Sequence, residues 1–514
     1  MLNLNSGLID LKKQIPKNIS MNIIFFLINI LIGIYLVPYY IDKLGVASYA
    51  LIPLATSITS YVGLVTDSLS TSVSRYLTVD LQRKNFEKAN VIFNTALFGM
   101  LGIALLSIPL IIFVSYFAPP FFKVPDSQIN DASMLLLGTL ISFYISTISG
   151  VVGVSLFAYN RLDIQCFLKI VNLLVRVVVI LLLFFEFDPK LSHIGLANII
   201  ASISVFMMTV YFSKKINPHQ KSSFSYFKLS KLKDIASTGN WLVVNQIGSL
   251  LFLQIDLIVV NKLFGTAAGG EYGALLVWSQ LLRSTAGLLA GVLTPIIFTY
   301  YATNQFDKMI ATSKSSVKFM GILMAIPIGC LCGFAPQILS IWIGSEFSRL
   351  SPLMWVLLGH LIINLSVLPL FPINVSFNKV RIPGLVTLFM GAGNFVLAII
   401  IPYITGWGYY GVAIAGAIML TLKNSLFIPW YATKVLGVSK NTFYKSMLPG
   451  IISMLLIACV TVIINYLINI SSLFSLVSVC LGITIVYLSI VWTLGLSISE
   501  HEAIKSFIPF KLGE

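Results

Sequence analysis

Residues 41–51 read IDKLGVASYAL and residues 260–275 read VNKLFGTAAGGEYGAL. Both carry Lys-Leu, then a glycine (Gly45, Gly265), then Tyr49-Ala50-Leu51 in one and Tyr272-Gly273-Ala274-Leu275 in the other. Three further pairs follow in the same order. Asn85-Phe86-Glu87-Lys88 matches Gln305-Phe306-Asp307-Lys308, Tyr159-Asn160-Arg161 matches Phe377-Asn378-Lys379, and Gly195-Leu196-Ala197 matches Gly411-Val412-Ala413. Taken at the glycines for the first pair, the offsets are 220, 220, 218 and 216 residues. One match is cheap; four in order at a nearly constant offset mark an internal duplication.

The duplicated unit is read in lipid. Of 514 residues, 57% are apolar and 10% charged, with a mean hydropathy of +0.94; soluble domains carry roughly 25% charged residues. A helix crosses the hydrocarbon in about 20 apolar residues. Breaks at charged or Gly/Pro-rich stretches place fourteen spans, at 20–41, 49–76, 90–117, 132–158, 166–186, 193–213, 240–261, 272–300, 316–337, 352–377, 382–404, 410–433, 446–468 and 474–497.

With the N-terminus inside, the inner segments, with Lys318 at the inner end of span 316–337 counted among them, hold 23 of the 33 Lys and Arg residues, the outer loops five and the rest of the spans five. That asymmetry is the positive-inside pattern, and one missed span would scramble it downstream. The net charge of +15 is therefore largely topological and does not point to nucleic acid. Each copy contains six spans, an even number, so both copies enter from the same side as parallel repeats, a transporter architecture.

The expected fold is all-α integral membrane, with two parallel-related six-helix bundles and two added helices. The bounds are 1–213 for the first bundle with an N-terminal interfacial segment, 214–239 for a cytoplasmic linker, 240–433 for the second bundle, and 434–514 for spans 13 and 14 with the tail. Both termini are expected in the cytoplasm. The first twenty residues lack an apolar core and cleavage site, and Leu4, Leu8, Leu11 and Ile15 with Lys12 and Lys13 suggest a short interfacial helix. Cys166, Cys330, Cys332, Cys459 and Cys480 fall in or beside apolar runs and read as packing residues.

The five other cations within spans are Arg75, Lys169, Arg176, Arg283 and Lys423. Arg75 and Lys169 lie near inner helix ends, where they either snorkel or join the lumen cations that bind substrate. Arg176, Arg283 and Lys423 are mid-span, where an unpaired cation costs about 2.5–3.5 kcal/mol on insertion scales. Ion pairs with Asp67, Asp256 or Glu186 are one explanation; a water-filled cavity between the bundles, where they meet an anionic substrate, is the other. The repeat does not duplicate these cations: Arg176 aligns with Asn394, Arg283 with Ser60 and Lys423 with Met207. Asp67 and Asp256 are the candidates for a coupling-ion site, for H+ or Na+. His360 titrates near neutral pH if it is not capped, and prolines at 53, 109, 295, 327, 369, 372 and 429 permit kinks. There is no GxxxxGK[ST] loop, metal-ligand cluster or large outer loop with paired acids, so no catalytic residue, metal or cofactor is assigned.

The first span and its turn, IGIYLVPYYIDKLGVASYALIPLATSI, and the segment SLFAYNRLDIQCFLKIVNLLVRVVVILLL carry a family resemblance. The sequence resembles the polysaccharide transporter branch of the multidrug/oligosaccharidyl-lipid/polysaccharide flippase superfamily, with Wzx-type O-antigen repeat-unit flippases the nearest likeness. The resemblance implies alternating access in a multi-pass protein of the inner (cytoplasmic) membrane, moving a polyprenyl-(pyro)phosphate-linked oligosaccharide from the cytoplasmic to the outer leaflet. It also implies contact with membrane lipid, and makes other glycan-assembly proteins candidate partners. Competing readings are a multidrug/cation antiporter, expected to have twelve spans and acidic pockets, and a peptidoglycan lipid-precursor flippase, disfavoured by a first span without arginine. A polytopic glycan-processing enzyme is the reading from another class.

Overall fold

The computed structural model describes residues 11–83, 85–231, 240–468, 470–496 and 501, and every regular element among them is helical. The first six long helices are α1 (Leu11–Leu44), α2 (Leu51–Gln82), α3 (Phe86–Leu106), α4 (Ile129–Val152), α5 (Leu162–Glu186) and α6 (Leu191–Ile216). The next six are α7 (Asn240–Leu253), α8 (Ile255–Ala302), α9 (Phe306–Gly333), α10 (Ser345–Ser376), α11 (Arg381–Thr405) and α12 (Tyr409–Leu436). The last two are α13 (Tyr444–Leu467) and α14 (Leu473–Ile490).

Among the described residues, 13 helices are long and apolar enough to cross a membrane. The continuous 48-residue α8 hides a fourteenth crossing. Unbroken it would measure about 72 Å, more than twice the hydrocarbon thickness. It turns at Gly265, with φ 87° and ψ 174°. Tyr272 OH donates to Asp256 Oδ2 at 3.4 Å across this turn, although sixteen residues of straight helix span about 24 Å. The stretch before Gly265 therefore continues α7, and the stretch after it is the next crossing.

The duplication is written in the backbone as well as in the sequence. Gly45 has φ 80° and ψ 159°, close to Gly265 and in a region that L side chains avoid. Asn160 and Asn378 are both left-handed, at φ 56° and 53°. The N–H of Asn85 donates to Asp80 O at 2.9 Å, and that of Gln305 to Tyr300 O at 2.9 Å. Arg161 and Lys379 repeat the pattern, donating to Leu156 O and Asn374 O.

Prolines act where their missing N–H falls at a helix start. α3 stops at Leu106 and resumes at Ile108 with Pro109 in its first turn, and α10 is broken into short pieces at Pro352, Pro369 and Pro372. Pro295 and Pro327 sit inside continuous helix. The expected short interfacial helix at the N-terminus is not separate over its described part: α1 runs unbroken from Leu11 into the span, while Leu4 and Leu8 lie outside the described residues. Its first turns are tied to the corner before α5. Lys17 Nζ lies 3.0 Å from Asp163 Oδ2, Gln14 Nε2 donates to Asp163 Oδ1 at 2.8 Å, and Asn18 Oδ1 accepts from the Asp163 N–H.

Contacts divide the chain into two compact units. The first comprises Met1–Ala274 with Thr387–Ile399 and is built on Val73, Leu77, Phe93 and Val151, all nearly inaccessible. In it α4 and α6 approach so closely that a Cβ on Gly138 would lie 2.5 Å from the Gly195 carbonyl oxygen. The second comprises Leu275–Val386 with Ile400–Glu514 and is built on Ile297, Met309, Leu370, Ile428 and Phe443. Its tightest seam joins α9 to α13, where a Cβ on Gly450 would lie 2.6 Å from Gly321 Cα. Small residues permit this approach, and in lipid such packing is the main force between helices.

Candidate functional site

Inside the first unit, spans that read as apolar carry polar residues on one face. On α5 these are Gln165, Lys169, Asn172 and Arg176; on α4 they are Thr139, Ser142, Ser146 and Ser149. α6 adds Asn198, Ser202 and Thr209, and α2 adds Thr56, Thr59 and Ser60. Spacings of three, four and seven put each set on a single helical stripe. The stripes converge on two cavities. One, of about 510 Å³, is lined by Arg176 with Thr56, Ser60, Thr139, Asn198 and Gln246 among others. The other, of about 470 Å³, is lined by Lys169 with Gln165, Ser149 and Thr209 among others, and the two share Ser146, Asn172 and Ser202.

The chemistry of this lining is specific. Hydroxyl protons of Thr56, Thr59, Ser60, Thr139, Ser142, Ser202 and Ser249 are donated to carbonyls three or four residues back on their own helices. Each oxygen thus retains lone pairs rather than a free donor, a surface suited to ligands rich in O–H groups. Arg176 Nε is buried without a hydrogen-bond partner. Lys169 Nζ lies 5.5 Å from the centroid of the Phe25 ring. Seven residues of helix separate the two cations, about 10 Å along the axis. No carboxylate occurs among the described lining residues of either cavity.

The other candidate residues fall in different places. Arg283 and Lys423 belong to the second unit, within electrostatic range of each other, and Arg283 is also within range of His360. Arg283 Nε donates to Ser279 Oγ at 3.2 Å. Asn364 contacts His360 Nδ1 and Thr421 Oγ1, and its Oδ1 accepts from Asn424 at 3.0 Å. Lys423 is 8% exposed and opens a π-helical turn, Lys423–Phe427, in α12. Such a turn inserts an extra residue and re-aims the face that carries it.

Asp256 is buried in the first unit, where its Oδ1 accepts from Asn394 Nδ2 at 2.9 Å and its Oδ2 from Tyr272. Asn394 also donates to Leu251 O at 2.9 Å. The repeat position that holds Arg176 at a cavity in the first copy therefore holds, in the second, an amide locked onto a carboxylate. The side chains of Arg75 and Asp67 lie outside the described residues, although α2, which carries them, is described. Among the described residues no group of three or more His, Cys, Asp or Glu side chains is placed to hold a metal.

Sequence comparison matches residues 15–301 to a family described as "Polysaccharide biosynthesis protein". The chain is 32% identical over 485 residues to the membrane protein EpsK of Bacillus subtilis (strain 168), covering 94% of this chain and 96% of that protein. Among solved structures, the lipid II flippase MurJ in an inward closed conformation is similar with a TM-score of 0.68 and 14% identity, over 92% of this chain and 99% of that one. An inward-facing multidrug resistance transporter of the MATE family and MOP superfamily is similar with a TM-score of 0.61 and 15% identity, over 82% of this chain and 98% of that one. At those identities the structural likeness shows the fold.

Proposed function

This multi-pass membrane chain belongs to the polysaccharide biosynthesis protein family, and on that premise we propose that it is a flippase carrying a polyprenyl-(pyro)phosphate-linked oligosaccharide from the cytoplasmic to the outer leaflet. The observation that carries this reading is the pair of joined cavities in the first unit. A sugar chain offers many hydroxyl donors, and the Ser and Thr oxygens around Arg176 are acceptors. A phosphate offers the partner that the buried Arg176 Nε lacks, and guanidinium suits phosphate geometry. Arg283 and Lys423, two cations within spans of the second unit and in electrostatic range of each other, attract an anion by the same electrostatics.

In this reading 1–213 and 240–433 are the two halves of an alternating-access carrier, 214–239 is the linker, and 434–514 supplies the added helices. The protein sits in the inner membrane with both termini in the cytoplasm. It performs no covalent chemistry, and H+ or Na+ bound at Asp256, or at Asp67, drives the cycle. A carrier of cationic drugs would place carboxylates in the cavity, and the described lining has none. The test is deletion of the gene followed by mass spectrometry of the lipid-linked glycans, with their leaflet determined. Accumulation on the inner leaflet is expected; unchanged exposure on the outer leaflet would falsify the reading.

A further inference from the structure

The segment that leaves α6 does not trail into solvent. Asn90 and Asn94, one turn apart on α3 and 7% and 0% exposed, bind its backbone at alternate residues. Asn90 donates to His219 O at 3.1 Å and accepts from the Lys221 N–H at 3.0 Å. Asn94 donates to Lys221 O at 2.7 Å and accepts from the Ser223 N–H at 2.8 Å. Two residues of extended chain advance about 6.6 Å and four residues of helix about 6 Å, so the two ladders stay in register. Buried Thr95 then accepts from the Lys228 N–H at 3.1 Å.

These anchor points fix the depth of the segment. Asn90, Asn94 and Thr95 lie four, eight and nine residues into a membrane-spanning helix, about 6–14 Å from its start. That is the zone where headgroups meet acyl chains. On the strap itself, Phe224 is 68% exposed and Leu229 70% exposed. Phe224 stacks on Phe227 at 5.4 Å between ring centroids and meets Phe98 of α3 edge-on. Lys221 and Lys228 are exposed beside them, Lys214, Lys215 and Lys231 flank the stretch, and residues 214–231 contain no Asp or Glu.

We propose that residues 217–231 form a membrane-surface strap that binds anionic phospholipid headgroups, with Phe224 and Leu229 seated in the interface and the lysines on the phosphates. The occupant follows from charge and depth together. Interfacial lipid offers an apolar layer directly beneath an anionic one, and the strap carries exposed apolar and cationic side chains side by side. The proposal uses the topology of the flippase reading only to name the leaflet as cytoplasmic.

The experiment places a coumarin amino acid at position 229 of the full-length protein in nanodiscs of brominated phosphatidylcholine, with or without brominated phosphatidylglycerol. Quenching is expected in both, stronger by at least about twofold with the anionic lipid. The difference should vanish in high salt, which requires no substitution, and in K221Q/K228Q/K231Q. Equal quenching in the two compositions would overturn headgroup recognition. Absence of quenching would overturn the strap itself and leave this face to water or to a protein partner. Neither result touches the flippase reading, which fails only if glycan export survives loss of the gene.

Discussion

Ser57 Oγ donates to Gln254 Oε1 at 2.7 Å, joining α2 of the first copy to the break between α7 and α8 at the head of the second. Tyr61 OH, one turn on, donates to Leu250 O at 3.2 Å, and a Cβ on Gly273 would touch the Pro53 ring. In the proposed topology this seam lies in the outer half of the membrane, and an alternating carrier must part it to release cargo outward.

Cross-linking Ser57→Cys to Gln254→Cys is therefore expected to stop export, with recovery on reduction. Undiminished export by the fully cross-linked protein would show that α2 and α7 stay together throughout the cycle.

Arg176→Ala removes the guanidinium from the larger cavity. A hydrogen bond to a charged group contributes about 1.5–3 kcal/mol, so export at limiting substrate should fall about ten- to a hundredfold. Arg176→Lys should retain part of it, since the charge remains while the planar fork is lost. Expression and thermal melting of both variants in detergent should match the parent.

Arg283→Ala is expected to abolish export while the protein remains inserted and folded, with Arg283→Lys partly active. Because Arg283 and Lys423 share one electrostatic environment, the double alanine variant should lose less substrate affinity, measured by binding, than the sum of the two single losses. Strict additivity in a double-mutant cycle would mean that the two do not act on one anion.

Asp256→Asn preserves shape and removes the charge. Export, measured with and without an imposed H+ or Na+ gradient, should lose its gradient dependence while substrate still binds. Retained dependence would move the coupling site elsewhere, Asp67 being the remaining candidate.

Gly265→Ala forces a Cβ onto a backbone at φ 87° and ψ 174°. Such a conformation costs a non-glycine residue about 1–3 kcal/mol, so the melting temperature should drop. Asn378→Gly should be nearly silent, because glycine also adopts the left-handed conformation found there and the exposed side chain is dispensable.

The duplication was legible because its strongest match sits on Gly45 and Gly265, where backbone geometry admits little else. Fourteen crossings were legible from hydropathy, whereas the turn inside α8 was fixed by tertiary contacts such as that between Tyr272 and Asp256. The membrane cations stood out through their high cost in hydrocarbon. The hydroxyl and amide stripes around Arg176 did not, because Ser and Thr barely lower the mean hydropathy of a span. Listing polar residues by helical spacing, as at 139, 142, 146 and 149, exposes them. The grouping of Lys169 with Arg176 at neighbouring cavities was not legible. It depends on which helices pack together, and packing on α2 brings α7 into the first compact unit.

The glycine seam between α9 and α13 has an evolutionary consequence. Gly321, Gly329 and Gly333 leave α9 nearly bare where Gly450, Ile457 and Thr461 of α13 press against it. Deleting the last two helices would expose a furrow that acyl chains fill poorly, so loss of α13 and regrowth of side chains on α9 have to occur together. A natural descendant with only twelve helices should accordingly carry larger residues at the positions of these three glycines, leaving a readable scar of the helix it shed.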